Sequence, residues 1–348
     1  MHKTLKKLTL LALILIVAAC KQLPTEEKTE LPVADLNDFL GHWTMDIDGN
    51  WVGWLAVTQE DGYLDGELLW KWGSVTPVAS VNLRQDNVLQ VTRVRNVRRA
   101  GPDGAQPRRH VLTDWMEARV DGDRISGYFM EPRADGMGID STGFSGVKLP
   151  PVPPAPDLSA VNFGEPVELF NGEDLTGWRP VNEAQANGFR VTEGVLFNDV
   201  ARKPGEEVIY YGNLRTDEEF EDFNLSLEVM IPEGSNSGVY LRGIYEIQVL
   251  DSYGREPDSH SMGGVYSRIA PSVNAEKPAG QWQTMDMTLV DRHITVILNG
   301  IKIIDNKPVY GPTGGALSSD VFAPGPIFLQ GDHGPVSFRN IILRPVLH

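Results

Sequence analysis

From Asp38 onward, short stretches with apolar side chains at every second position recur, and no long stretch carries a 3.6-residue period. Phe223 to Met230 (FNLSLEVM) places Phe223, Leu225, Leu227 and Val229 on one face and Asn224, Ser226 and Glu228 on the other. Met285, Met287 and Leu289 alternate likewise. Ile294, Val296 and Leu298 lead into Asn299-Gly300, the favoured two-residue hairpin turn, and Ile301 and Ile303 follow. Phe338 to Leu343 reads as a closing strand. Strands at close spacing, separated by Gly, Asp and Asn turns, predict an all-β chain of sandwich or barrel type. The run Leu149-Pro150-Pro151-Val152-Pro153-Pro154-Ala155-Pro156 is stiff and extended and cannot enter a sheet interior. It predicts a boundary: a smaller all-β barrel or sandwich over 38–149, a proline-rich linker over 150–162, and a two-sheet jelly roll over 163–348.

The N-terminus adds a different constraint. Lys3, Lys6 and Lys7 precede the apolar run Leu8 to Ala19, which ends in small residues before Cys20. That pattern predicts a secretory signal peptide over 1–20, too short for a comfortable bilayer span of roughly twenty apolar residues. Val17-Ala18-Ala19-Cys20 resembles the bacterial lipobox, and the resemblance implies that Cys20 is acylated and becomes the first mature residue. Lys21 stands where an aspartate would direct retention, which by the enterobacterial pattern favours the outer membrane of a Gram-negative cell. Cys20 is also the single cysteine in the chain, so the folded part must be held by its core and not by disulfides. Residues 21–37 are polar and proline-containing, and read as a flexible tether. A formal net charge of −16 argues against nucleic acid as a partner and suits a neutral ligand such as a sugar.

The first domain carries hairpin signals at Asp61-Gly62 and Asp121-Gly122 and six tryptophans, Trp43, Trp51, Trp54, Trp70, Trp72 and Trp115. Such rings can form a sugar platform, but most are expected to fill the core of a small β domain. Gly41-His42-Trp43 resembles the first strand of lipocalin-type barrels. Arg93, Arg95, Arg98, Arg99, Arg108 and Arg109 flank a Gly/Pro loop at 100–107 and either face anionic lipid or form a solvated hairpin tip. No role for this domain follows from its sequence.

The second domain is better specified. Its ordered blocks are Leu169-Phe170-Asn171-Gly172-Glu173-Asp174-Leu175-Thr176-Gly177-Trp178, Ser235-Asn236-Ser237-Gly238-Val239-Tyr240-Leu241-Arg242-Gly243 and Tyr245-Glu246-Ile247-Gln248-Val249-Leu250-Asp251-Ser252. Lys277-Pro278-Ala279-Gly280-Gln281-Trp282, Leu298-Asn299-Gly300, Gly311-Pro312-Thr313-Gly314-Gly315 and Leu329-Gln330-Gly331-Asp332-His333-Gly334-Pro335-Val336 follow. The set resembles the 3-keto-disaccharide hydrolase family over about 165–346. That resemblance implies a concanavalin-like jelly roll with 3-keto-α-glucoside 1,2-lyase and 3-keto-2-hydroxy-glucal hydratase activity, which together hydrolyse a 3-oxidised glycoside.

Along Leu241 to Asp251, the two-residue period puts Tyr245, Ile247 and Val249 on a core face and Arg242, Glu246 and Gln248 on the other. Those three are either a solvated outer face or the floor of a sugar groove, with Asn236, Gln330, the 252–263 loop and the Gly-rich 311–315 segment at its rim. Glu246-x-Gln248-x-x-Asp251 is similar to the E-x-D-x-x-E strand of retaining jelly-roll glycosidases. Gln248, however, bears no charge and Asp251 has the opposite parity, so a two-carboxylate displacement is poorly served. Elimination across C1–C2 of a 3-keto sugar needs one base, one acid and an electrophile over the carbonyl oxygen. Glu246 or His333 is the candidate base, Arg242 the electrostatic partner, and Asp251 or Asp332 the acid. His333 in Gln330-Gly331-Asp332-His333-Gly334 is either an idle turn residue or a proton shuttle; His260, in a polar loop, reads as idle. No cofactor is required by any spacing, although Glu246, Asp251, Asp332 and His333 are candidate ligands for a divalent metal. No dinucleotide-binding glycine motif follows a strand, so a separate dehydrogenase would have to supply the 3-keto substrate. The rival expectations are a non-catalytic sugar-binding lipoprotein on the same fold, and a structural surface protein.

Overall fold

The computed structural model describes residues 35–101, 106–200 and 209–347; Cys20, the signal peptide and nearly all of the tether lie outside them. The sole helix among these residues, Leu36–Phe39, is one turn long. The Asp35 side chain caps it by accepting the Asn37 N–H.

The first sheet comprises β1 (Gly41–Ile47), β2 (Trp51–Glu60), β3 (Tyr63–Trp70), β4 (Thr76–Pro77), β5 (Ser80–Leu83), β6 (Leu89–Arg99), β7 (Arg108–Asp121), β8 (Arg124–Pro132) and β9 (Ile139–Lys148). Apart from β4 and β5, neighbours in sequence pair antiparallel, and β9 returns to β1. β4 pairs with β3 and β5 with β6, while Val78 and Ala79 between them donate to Gly66 O and Thr92 O. Residues 76–83 are therefore one wall in two pieces, and the sheet closes into an up-and-down barrel. Inward positions fill it with Trp43, Met45, Leu55, Leu68, Trp70, Leu89, Val91, Met116 and Phe129.

Of the six tryptophans, Trp43, Trp54 and Trp70 are buried and Trp115 is half-buried; Trp51 and Trp72 are exposed, edge to face with centroids 4.9 Å apart. The arginine cluster also divides. Arg98, Arg99, Arg108 and Arg109 lie exposed along the hairpin, but Arg93 and Arg95 share the inward parity of Leu89 and Val91 and bond the fully buried Asp114.

The rest of the chain is a two-sheet sandwich. One sheet contains β12 (Phe189–Thr192), β13 (Val195–Asn198), β22 (Val336–Pro345), β15 (Phe223–Met230), β18 (Gln283–Val290), β19 (His293–Leu298) and β20 (Ile301–Pro308), in that order, with β10 (Val167–Glu168) also on β22. The other runs β11 (Trp178–Pro180), β14 (Leu214–Thr216), β21 (Phe328–Leu329), β16 (Asn236–Leu241), β17 (Tyr245–Leu250). The alternation of 223–230 appears as strict alternation of burial, and Asn299 and Gly300 both take positive φ (52° and 81°), as a tight hairpin turn requires. Between the sheets lies one core that includes Leu225, Leu227, Val239, Ile247, Met287 and Phe338.

Barrel and sandwich are not merely strung together. Trp54, Ala56 and Leu69, on the outer face of β2 and β3, belong to the sandwich core. The Trp54 indole donates to Tyr310 O (3.0 Å), the Arg268 guanidinium lies 4.2 Å over its ring, and His42 stacks beside it. The proline-rich segment runs along the sandwich: Arg292 donates to Pro150 O and Pro151 O, and Asn306 to Pro156 O.

Candidate functional site

The β16–β17 hairpin turns through Arg242 and Gly243, both at positive φ (55° and 66°), which fixes Tyr240 opposite Glu246 and Gly238 opposite Gln248. Val239, Leu241, Tyr245, Ile247 and Val249 are wholly buried on the core side. The other face carries Asn236, Gly238, Tyr240, Glu246 and Gln248. β21 extends that face, pairing Phe328 with Tyr240, and Gln330 follows, donating its N–H to Gly238 O. Tyr240 and Phe328 stack nearly parallel at 3.9 Å.

This face is buried rather than solvated, with Glu246 and Gln248 each 3% exposed. The 263–266 segment pairs along β17, with Tyr266 N–H on Glu246 O and Gln248 N–H on Gly264 O. The Gly-rich 311–315 loop closes from the other side: Thr313 Oγ1 accepts the Glu246 N–H, and the Tyr240 hydroxyl reaches Gly314 O at 2.8 Å. The same hydroxyl lies 2.8 Å from Glu246 Oε2. One phenolic proton can serve only one acceptor, so a protonated Glu246 donating to Tyr240, with Tyr240 donating to Gly314, satisfies the whole chain.

Burial is the main force on Glu246. Taking the carboxyl out of water pushes its pKa up to about 8, against the opposing pulls of the Tyr240 hydroxyl and the His333 charge and with the support of the Asp332 carboxylate. Asp332 and His333 form a half-exposed pair in the turn after β21, Oδ1 to Nδ1 at 2.7 Å, close enough for both to act on Glu246. Around them, Asn236 Oδ1 and Gln330 Oε1 are buried acceptors with no partner. Unpaired buried acceptors on one face are what hydroxyl donors of a ligand would satisfy. The Gln248 Oε1 is already engaged by the Val249 N–H.

Two expected members of the site lie elsewhere. Arg242 does not share the face of Glu246 and Gln248, because left-handed backbone at the turn breaks the alternation. Its guanidinium donates to Ala323 O and lines a separate hollow with Asp222, Arg292 and Phe322. Asp251 is about 16 Å along the strand from Glu246, and its Oδ2 accepts the Gly234 N–H, closing the preceding turn. It therefore does not join the candidate acid–base group. Nor do the four candidate ligands form a metal set: among the described residues, no three His, Cys, Asp or Glu groups are gathered to hold an ion. His260 has a packing role: its Nε2 lies 2.8 Å from Ser74 Oγ of the barrel and its ring abuts Tyr266.

Tyr240 and Gly238 were missed as site residues. A β-carbon on Gly238 would overlap Glu246 Oε1, so glycine makes the space the carboxyl occupies. Gly238→Ala should cost about 1–3 kcal/mol through this overlap and should depress turnover at the same time. Urea midpoints and steady-state rates on one preparation would check both, and an unchanged rate would separate Glu246 from the chemistry.

The class defined by this architecture is a β-sandwich protein with a buried carboxyl, Glu246, on the outer face of one sheet. The chain belongs to the 3-keto-alpha-glucoside-1,2-lyase-like domain family, whose model matches residues 165–344. Its C-terminal domain is accordingly a carbohydrate-active one. Among solved structures, it is similar to a candidate glycosyl hydrolase from Parabacteroides distasonis at 29% identity, covering 57% of this chain and 93% of that one, with a TM-score of 0.43. A second from the same organism is 25% identical over 52% of this chain and 100% of that one, with a TM-score of 0.39. A carbohydrate-binding module from Bacillus subtilis is 14% identical over 47% and 93%, with a TM-score of 0.30. No curated protein matches the chain.

Proposed function

We propose that this protein cleaves 3-keto-glucosides by elimination across C1–C2 followed by hydration, with Glu246 as the base that works on C2. The observation that carries the proposal is the buried Glu246 carboxyl with its pKa pushed up to about 8. A carboxylate with so high a pKa is a strong base when ionised. In the first half, Glu246 takes the C2 proton, which the neighbouring ketone acidifies. The electron pair passes to the C3 oxygen as an enolate and returns to expel the C1 oxygen, which leaves with a proton from the Asp332–His333 pair. In the second half, water adds at C1, giving up a proton to that pair, and Glu246 returns its proton to C2. The net change is hydrolysis. Asn236 and Gln330 accept from sugar hydroxyls through their free oxygens. The proposal extends to the setting: an extracytoplasmic chain anchored by a lipid on Cys20, fed by a separate sugar 3-dehydrogenase.

The test is turnover. The chain should release glucose from a 3-keto-disaccharide and leave the unoxidised parent intact, and a C2-deuterated substrate should react several-fold more slowly. Because Glu246 must be ionised in the free protein, kcat/KM should rise about tenfold per pH unit below the Glu246 pKa and level off above about 8. Binding of both sugars without cleavage would overturn the enzymatic reading.

A further inference from the structure

We infer that the mouth of the N-terminal barrel is a second saccharide-binding site, distinct from the Glu246 site. A cavity of about 370 Å³ opens at the seam between β3, β4 and β6, lined by Trp70, Trp72, Ser74, Thr76, Arg93 and Arg95. Elsewhere the barrel interior is packed with aliphatic and aromatic side chains, so charged groups at inward positions here need a reason. Part of the reason is mutual. Asp114, fully buried, holds Arg93 at 3.0 Å and Arg95 at 2.9 Å; Glu131 lies 3.6 Å from Arg93, and the Arg93 guanidinium rests 4.9 Å over Phe129.

Two donors remain unused. The Trp70 indole N–H, on a ring 5% exposed, and Arg93 Nε are both buried without a partner, and both residues line this cavity. Buried donors left unpaired call for an acceptor that arrives with a ligand. At the rim, Trp72 is 62% exposed and braced edge-on by Trp51, offering a flat apolar face. An aromatic face beside a paired guanidinium and carboxylate suits a pyranose, whose ring carbons pack on the indole and whose hydroxyls both donate and accept. Charge narrows the class further. Arg93 and Arg95 face Asp114 and Glu131, and Lys71, 3.9 Å from Glu131, adds at most one uncompensated charge. A neutral sugar fits that balance and a polyanion does not.

The site lies outside the family-matched residues 165–344 and uses none of the groups around Glu246. It adjoins them, however, through a shared wall. Gly73 packs against Gly314, whose carbonyl meets Tyr240, and Ser74 bonds His260 and reaches Tyr266 at 3.3 Å. The proposed barrel site thus lies beside the Glu246 site of the sandwich.

Titrating the full chain with trehalose, maltose, cellobiose and glucuronate, followed by tryptophan fluorescence and calorimetry, tests the site. At least one neutral disaccharide should bind saturably. Trp72→Ala should weaken that binding at least tenfold with an unchanged melting curve, Arg93→Lys should weaken it, and Glu246→Gln should leave it intact. The inference is overturned if no neutral sugar saturates, if glucuronate alone binds, or if Glu246→Gln abolishes binding while Trp72→Ala does not. Because Glu246→Gln removes the proposed chemistry, loss of turnover and loss of this site are separately visible.

Discussion

Replacing Glu246 with glutamine is expected to cut turnover of a 3-keto-disaccharide by about 10²–10⁴-fold, the usual contribution of a positioned base, while making the fold harder to unfold in alkali. The sign follows from proton counting. The folded chain keeps the Glu246 proton up to about pH 8, whereas the unfolded carboxyl releases it near its ordinary value of 4.5. Between those limits the folded state binds more protons, so its stability falls as pH rises and the loss is complete above pH 8. The full window corresponds to at most about 5 kcal/mol. Glutamine has nearly the same shape and does not titrate, so the variant should match the native chain near pH 4.5, exceed it increasingly up to about pH 8 and keep that margin at pH 9. Guanidinium unfolding at pH 5, 7 and 9 measures the difference. Equal pH slopes for the two proteins would mean that Glu246 is ionised in the fold and sits in a wetter place than its burial allows.

The second large effect is expected at Trp54, far from any proposed chemistry. Trp54→Ala should cost about 3–5 kcal/mol, as for other fully buried large aromatics. The ring is 1% exposed, donates to Tyr310 O and lies beneath Arg268. Arg268 is held by Pro312 O and, among the described residues, forms no close ion pair, so removing the indole leaves a half-buried cation with less support. Gly311 also packs against the indole, and three residues on, Gly314 receives the Tyr240 hydroxyl. The variant should therefore lose turnover as well as stability. Two separated calorimetric transitions would be the signature of barrel and sandwich released from each other. A single transition, shifted down, would mean that other contacts hold them together.

Much of the architecture was legible in the chain because side-chain period and turn chemistry are local. The FNLSLEVM alternation and the Asn299-Gly300 turn became strand and hairpin as read. Barrel closure was not legible, because it depends on the short wall 76–83 splitting its pairing between β3 and β6. In the site, Glu246 and Gln248 came out on one face because they lie within one uninterrupted strand. Arg242 was misplaced because alternation was carried through a turn whose left-handed residue the sequence does not announce. Tyr240 could have been found: a turn centred on 242–243 fixes residue 240 opposite 246, which sets a tyrosine against the glutamate. Asp251 was drawn in by a motif likeness that its parity already opposed.

Closure of the barrel also bears on how copies of this protein meet one another. The short 76–83 wall pairs with Glu67 and Leu68 of β3 and with residues 89–92 of β6, covering N–H and C=O groups that another chain could otherwise extend. Partial loss of this wall would expose those groups on β3 and β6 at once, so heat-driven clumping should begin at that seam. A covalent staple across it should delay the onset of turbidity more than one placed elsewhere on the cylinder.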